Sequence, residues 1–200
     1  MLSQGNINMK DKLTILCKYY LIFLVISFIG WLFETIQVSI LADQLVDRGF
    51  LSLPICPIYG LTIMGIYFVA GTPHEPKGIL RNVNNLIYRY LSYFLISFAL
   101  PTIAEFFLGI FFDKVFNIML WDYSHLPLNI GGYVCLWISI AWGFAITLLM
   151  RIFFPILKRW IFKISDLESN VNACGIGILM IIDIIYNVIL LFTNVKTISF

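Results

Sequence analysis

Five apolar runs dominate this chain, over 19–41, 51–70, 90–112, 130–150 and 173–195. Each is about 20 residues long, which at 1.5 Å per residue matches the ~30 Å hydrocarbon core of a bilayer. The apolar residues form blocks rather than the one-sided stripe of a water-facing helix. In lipid every backbone N–H and C=O needs a partner, so each run predicts a helix. The expected fold class is all-α, a polytopic bundle of about five transmembrane helices. The stretches between the runs are short, so residues 1–200 are expected to form a single transmembrane domain. The first run follows Lys10, Lys12 and Lys18 without a small-residue cleavage site behind it, and reads as a retained helix.

Composition agrees. Hydrophobic residues make up 60% of the chain and charged residues 12%, about half the charged share of a soluble domain. The mean hydropathy is +0.93. The net charge of +2 gives no bulk attraction for nucleic acid. Cys17, Cys56, Cys135 and Cys174 form no CxxC pair, and His74 and His125 fall in predicted loops. No metal centre and no cofactor are expected.

The placement of charge says more than its sum. Lys10, Lys12 and Lys18 precede the first run. Lys77, Arg81 and Arg89 lie between the second and third, and Arg151, Lys158, Arg159 and Lys163 follow the fourth. Only Arg48, Lys114 and Lys196 fall on the other side. Basic loops stay in the cytoplasm, so the N-terminus is expected inside and the C-terminus outside, in the cell membrane. The stretch 152–164 mixes Phe153, Phe154, Trp160 and Phe162 with Lys158, Arg159 and Lys163. It reads either as an interfacial amphipathic helix after the fourth span or as an extension of that span broken at Pro155.

Three acids fall inside the runs. An acid at a helix centre costs roughly 2.5–3.5 kcal/mol on insertion scales, so it faces the bundle interior and has partners. Glu34 and Glu105 each stand seven residues before the outer end of their runs, about 10 Å deep. Ser27, Gly30, Glu34 and Gln37 recur at helical spacing, as do Ser97, Pro101, Glu105 and Gly109. Small and polar residues on one face are what close helix packing in lipid uses. Asp183 stands near the middle of the fifth run, with Tyr186 and Asn187 on its face. It reads either as a proton-carrying carboxyl or as a hydrogen-bond partner of a neighbouring helix. Cys56 and Cys135 share a depth, as a disulfide or as two buried thiols.

The outer segments add Asp47-Arg48-Gly49-Phe50-Leu51, then Tyr59, and later Trp121-Asp122-Tyr123-Ser124 and Asn129. Glu34, Arg48, Tyr59, Glu105, Asp122, Tyr123 and Asn129 are therefore the candidate residues of an outward-facing polar site. Arg48 is the expected counter-charge for one carboxylate.

Together, Glu34, the 47–51 segment with Pro54, Pro57, Ile58, Tyr59 and Gly60, Glu105, Trp-Asp-Tyr-Ser at 121–124, Asn129, Gly131, Cys135, Leu136 and Trp142-Gly143 resemble a known pattern. It is that of the small membrane proteins called Putative ABC-transporter type IV, or CmpB-like permeases. The resemblance spans roughly Gly30 to Pro155. It implies a permease-like membrane component. No GxxxxGK[ST] phosphate loop occurs, so an ATPase would be a separate chain.

Three functions are compatible with these residues. The first is a small-molecule transporter component with a polar site in the outer half of the bundle, working as a homo-oligomer or with an ATPase subunit. The second is a non-catalytic assembly or regulatory partner of a membrane complex, with a purely structural polar core. The third is a membrane-embedded enzyme using the carboxylate pair on a lipid-linked substrate. No Ser/His/Asp, Cys/His or HExxH arrangement supports the third.

Overall fold

The computed structural model describes residues 8–46 and 49–193. Five α-helices carry the architecture: α1 (Met9–Ala42), α2 (Pro57–Ala70), α3 (Leu86–Phe116), α4 (Leu136–Lys163) and α5 (Asp166–Phe192). Four of them, α1, α3, α4 and α5, are long and apolar enough to cross a membrane. The chain is an all-α polytopic membrane protein.

Helix α1 is the hub. Half of its most apolar window is buried, against 17% in α3 and in α5. It packs against α2, α5 and α4, while α3 lies against α4 and α2. Ile22, Ile26, Ile66, Tyr67, Met150 and Phe154 form the centre of the core. Helix α5 packs on α1 and leaves Ile178, Ile181, Ile182, Ile185 and Ile189 exposed, as a lipid-facing helix does in a chain of this composition.

The helix ends follow local chemistry. Asn85 Oδ1 caps α3 by accepting from Ile87 N at 2.9 Å and Tyr88 N at 3.2 Å. Ser165 and Glu168 form a reciprocal capping box at the start of α5. Asp43 and Asn117 close α1 and α3 in the left-handed conformation.

Several boundaries depart from the sequence expectation: α1 begins ahead of residue 19, at Met9, and α5 ahead of residue 173, at Asp166. Helix α2 begins at Pro57 rather than at 51 and has 14 residues, about 21 Å of helix. Residues 51–56 approach it as irregular backbone. Pro54 and Pro57 disfavour helical geometry in the residues before them, and the protein supplies the hydrogen bonds that a helix would have supplied. Asp183 of α5 accepts from Ser52 N at 3.0 Å and Leu53 N at 3.1 Å. Cys56 N donates to the Ser27 carbonyl at 3.0 Å. Non-helical backbone at such depth is tolerated where protein groups satisfy it.

The fourth run does not begin a helix at 130. Asn129–Ile130 and Val134–Cys135 pair as a short antiparallel hairpin, β1 and β2. Gly131 and Gly132 form its turn at φ +61° and +77°, a region open to glycine. Finally, the stretch 152–164 is the extension of the fourth span rather than a separate interfacial helix, but without the expected break: α4 runs unbroken past Pro155 to Lys163. Only Ile164 and Ser165 separate it from α5.

Candidate functional site

The pairing of α1 with α2 is set by glycines. A Cβ on Gly30 would lie 2.7 Å from Tyr59 Cβ and closer still to the ring. One on Gly60 would meet the Phe23 ring at 2.5 Å. With hydrogen at these positions, the Tyr59 ring lies flat against α1. Its hydroxyl reaches one turn along and donates to Glu34 Oε1 at 2.7 Å, a charge-assisted geometry. On its other side Tyr59 meets Trp142 of α4 edge to face, with ring centroids 5.6 Å apart.

On α3, Ser97, Pro101 and Gly109 are buried, so the face predicted from their spacing does point inward. Proline at 101 has no N–H to give the preceding turn. Glu105 stands one turn beyond it. The Trp142 indole N–H faces the Glu105 carboxylate as its hydrogen-bonding neighbour. The contact is not a well-formed bond: Glu105 Oε2 and Trp142 Nε1 are both buried without a partner of good hydrogen-bond geometry among the described residues. The same holds for Ser97 Oγ. Buried polar atoms in native proteins are nearly always paired, so a donor and an acceptor left open in one wall call for an explanation.

These groups surround a cavity of about 300 Å³ between α1, α2, α3 and α4. Glu34, Tyr59, Glu105 and Trp142 supply its polar and aromatic wall. Most of the remaining surface is apolar, from residues such as Ile26, Ile58, Ile63, Ile146 and Leu149. Concave, mostly apolar sites with a few convergent polar groups are the usual form of small-molecule sites.

The segment between α3 and α4 covers one side of the cavity with Trp121 and Tyr123. It is tied down by a relay: Trp121 Nε1 donates to the Tyr133 carbonyl at 2.6 Å, and Tyr133 OH donates to Asp113 Oδ2 at 2.7 Å. Asp122 and Asn129 belong to this segment but not to the cavity wall. Asp122 Oδ1 accepts from Ser124 N at 2.8 Å, and this backbone hydrogen bond holds its carboxyl below the usual carboxylate range. Asn129 Nδ2 donates to the Leu126 carbonyl at 2.7 Å, and its Oδ1 accepts from Gly132 N at 3.1 Å. Both side chains shape the turn.

Of the seven sequence candidates, the cavity thus gathers Glu34, Tyr59, Glu105 and Tyr123. Arg48, the expected counter-charge, lies outside the described residues. Asp183 is away from the cavity and holds the 51–56 segment instead. Cys56 and Cys135 are not joined by a disulfide, nor are Cys17 and Cys174. No group of three or more His, Cys, Asp or Glu side chains that could hold a metal occurs among the described residues. Trp142 and Trp121 are the wall residues that periodicity did not single out. The signal was available for Trp142: an indole N–H inside an apolar run needs a partner there.

Comparison with known proteins points the same way as the motifs. No curated protein and no solved structure matches the chain. The family profile described as Putative ABC-transporter type IV matches residues 21–188, which takes in all five helices for most of their length. The chain belongs to the Putative ABC-transporter type IV family.

Proposed function

We propose that this chain is the permease-like component of a small-molecule transporter of the cell membrane, and that the cavity between α1, α2, α3 and α4 is its substrate site. The lysine-rich end of the bundle faces the cytoplasm, and an ATPase, carried on a separate chain, docks there. The observation that carries this reading is the cavity itself, whose mostly apolar wall gathers Glu34, Tyr59, Glu105 and Trp142. Glu105 and Trp142 face each other there without a well-formed bond, which leaves both able to meet a substrate.

The test is affinity purification of the tagged protein from native membranes in mild detergent, followed by mass spectrometry. A stoichiometric ATP-hydrolysing subunit is the expected result. Recovery of other membrane proteins with no ATPase would move the chain to the role of an assembly or regulatory partner.

A further inference from the structure

Resting on the reading of the cavity as a substrate site, we infer that it takes a lipophilic organic cation: an ammonium or quaternary ammonium group on an apolar body. The charge of the wall is the first argument. Glu34 and Glu105 line the cavity, and no Lys, Arg or His is among its described lining residues. An anion would meet two carboxylates and little to offset them. Two carboxylates in one low-dielectric wall also repel each other when ionised, and a cation between them relieves that repulsion.

The second argument is what each polar group has left to give. The Tyr59 O–H is already committed to Glu34. Glu105 Oε2 makes no well-formed hydrogen bond among the described residues, with the Trp142 indole beside the carboxylate. The surplus in the wall is therefore negative charge and acceptor capacity. Trp142 Nε1 remains as a donor for a water or an acceptor atom on the ligand. A sugar-like solute needs many more partners than this wall offers, because most of the rest of it is aliphatic. A bare divalent cation takes six or more oxygen ligands, and the described residues hold no cluster of the kind.

The third argument is aromatic. Tyr59, Trp142, Trp121 and Tyr123 all line the same space. Aromatic walls combined with carboxylates are how proteins hold alkylated ammonium groups, which are poorly hydrated and bind ring faces. The aliphatic remainder of the cavity accommodates the ligand's apolar body.

The experiment uses the purified full-length protein in detergent and three probes of similar size: benzyltrimethylammonium, its neutral isostere 2,2-dimethylpropylbenzene, and phenylacetate. Binding is read by calorimetry and by thermal shift. The cation is expected to bind saturably and to raise the melting temperature. Glu105→Gln should weaken it about tenfold or more, as the loss of a charge contact in a desolvated site does. Glu34→Gln is the second variant, with a loss in the same direction. Both variants should leave the neutral probe unaffected, and both must elute as monodisperse folded protein. If the neutral isostere or phenylacetate binds as tightly as the cation, or if both variants bind the cation as wild type does, the inference of cation selection is overturned while the cavity remains a ligand site. If none of the probes binds, the inference falls and the substrate-site reading falls with it.

Discussion

Two buried acids in this bundle sit in opposite circumstances. Asp183 on α5 is fully engaged. Its carboxylate accepts from Ser52 N at 3.0 Å, Leu53 N at 3.1 Å and Asn187 Nδ2 at 2.9 Å. Glu105 on α3 keeps a buried oxygen with no partner among the described residues. An acid in an apolar helix is costly in either place. At Asp183 that cost is offset by three donors, two of which, Ser52 N and Leu53 N, would otherwise be unpaired. At Glu105 the Trp142 indole is the neighbour that offsets it, and only through a poorly formed contact. The difference separates a carboxylate that ties two segments of the fold together from one that lines the cavity.

The largest expected effect follows directly. Asp183→Leu strands the Ser52 and Leu53 N–H groups, while the Asn187 amide keeps the residue-183 carbonyl and Ser52 Oγ. At about 1–3 kcal/mol for each unsatisfied donor, the loss should be about 2 kcal/mol or more. Glu105→Leu removes an acid engaged with little besides the Trp142 indole, so it should stay within about 1 kcal/mol of wild type or gain stability. Thermal unfolding of both variants in the same detergent checks the pair. Equal destabilisation would make Glu105 a structural residue and remove the contrast between the two sites.

How far the two sites were legible in the sequence differs for a physical reason. Helical periodicity reports which residues share a face, and it placed Ser27, Gly30 and Glu34, and likewise Ser97, Pro101 and Glu105, toward the interior. Gln37 was placed on that face too, yet it is exposed, because the bundle contact of α1 does not extend that far toward its end. Periodicity does not report partners distant in the chain. The donors to Asp183 lie some 130 residues away in backbone that was expected to be helical. The same limit applies to Asp122 and Asn129. Both are polar residues at the level of the cavity, and both have their hydrogen bonds taken up by their own turn. The helical face of a residue was readable, but the choice between facing a cavity and closing a loop was not.

The contrast also implies that the cavity wall tolerates loss of charge better than a change of shape. Gly30→Ala places a methyl group into the Tyr59 ring. Overpacking of this kind typically costs about 1–3 kcal/mol. It should also push the phenol off Glu34, because the ring has to move away from α1. Tyr59→Phe alone deletes the same 2.7 Å hydrogen bond and should cost about 1 kcal/mol. If both act on one contact, the double variant will be more stable than the sum of the single losses predicts, and a double-mutant cycle on melting free energies measures the shortfall. Strict additivity would mean that Tyr59 keeps its bond to Glu34 when Gly30 is filled, and that the glycine does not set the position of the cavity wall.

The smallest expected effect concerns the segment over the cavity. Asp122 is exposed, and its carboxyl is held below the usual range by the Ser124 N–H. A carboxyl with a lowered folded-state pKa contributes stability that is present above its unfolded value, near about 3.9. That contribution is lost as the pH falls through the lower folded value. At neutral pH the turn is therefore fully held, and acid should loosen it locally without unfolding the bundle. Asp122→Ala should reproduce that loosening at neutral pH, whereas Asp122→Asn keeps an acceptor oxygen and should resemble wild type. Gly132 packs on the same carboxylate and its carbonyl accepts from Tyr123 N at 2.9 Å. The loosening should therefore extend to the Tyr123 amide, next to two residues of the cavity wall. Amide hydrogen exchange at Tyr123 and Ser124 is the measurement. Faster exchange in Asp122→Ala alone would assign the residue to holding Trp121 and Tyr123 in place. Unchanged exchange would leave the Trp121–Tyr133–Asp113 relay as sufficient by itself, with Asp122 free for a role at the surface.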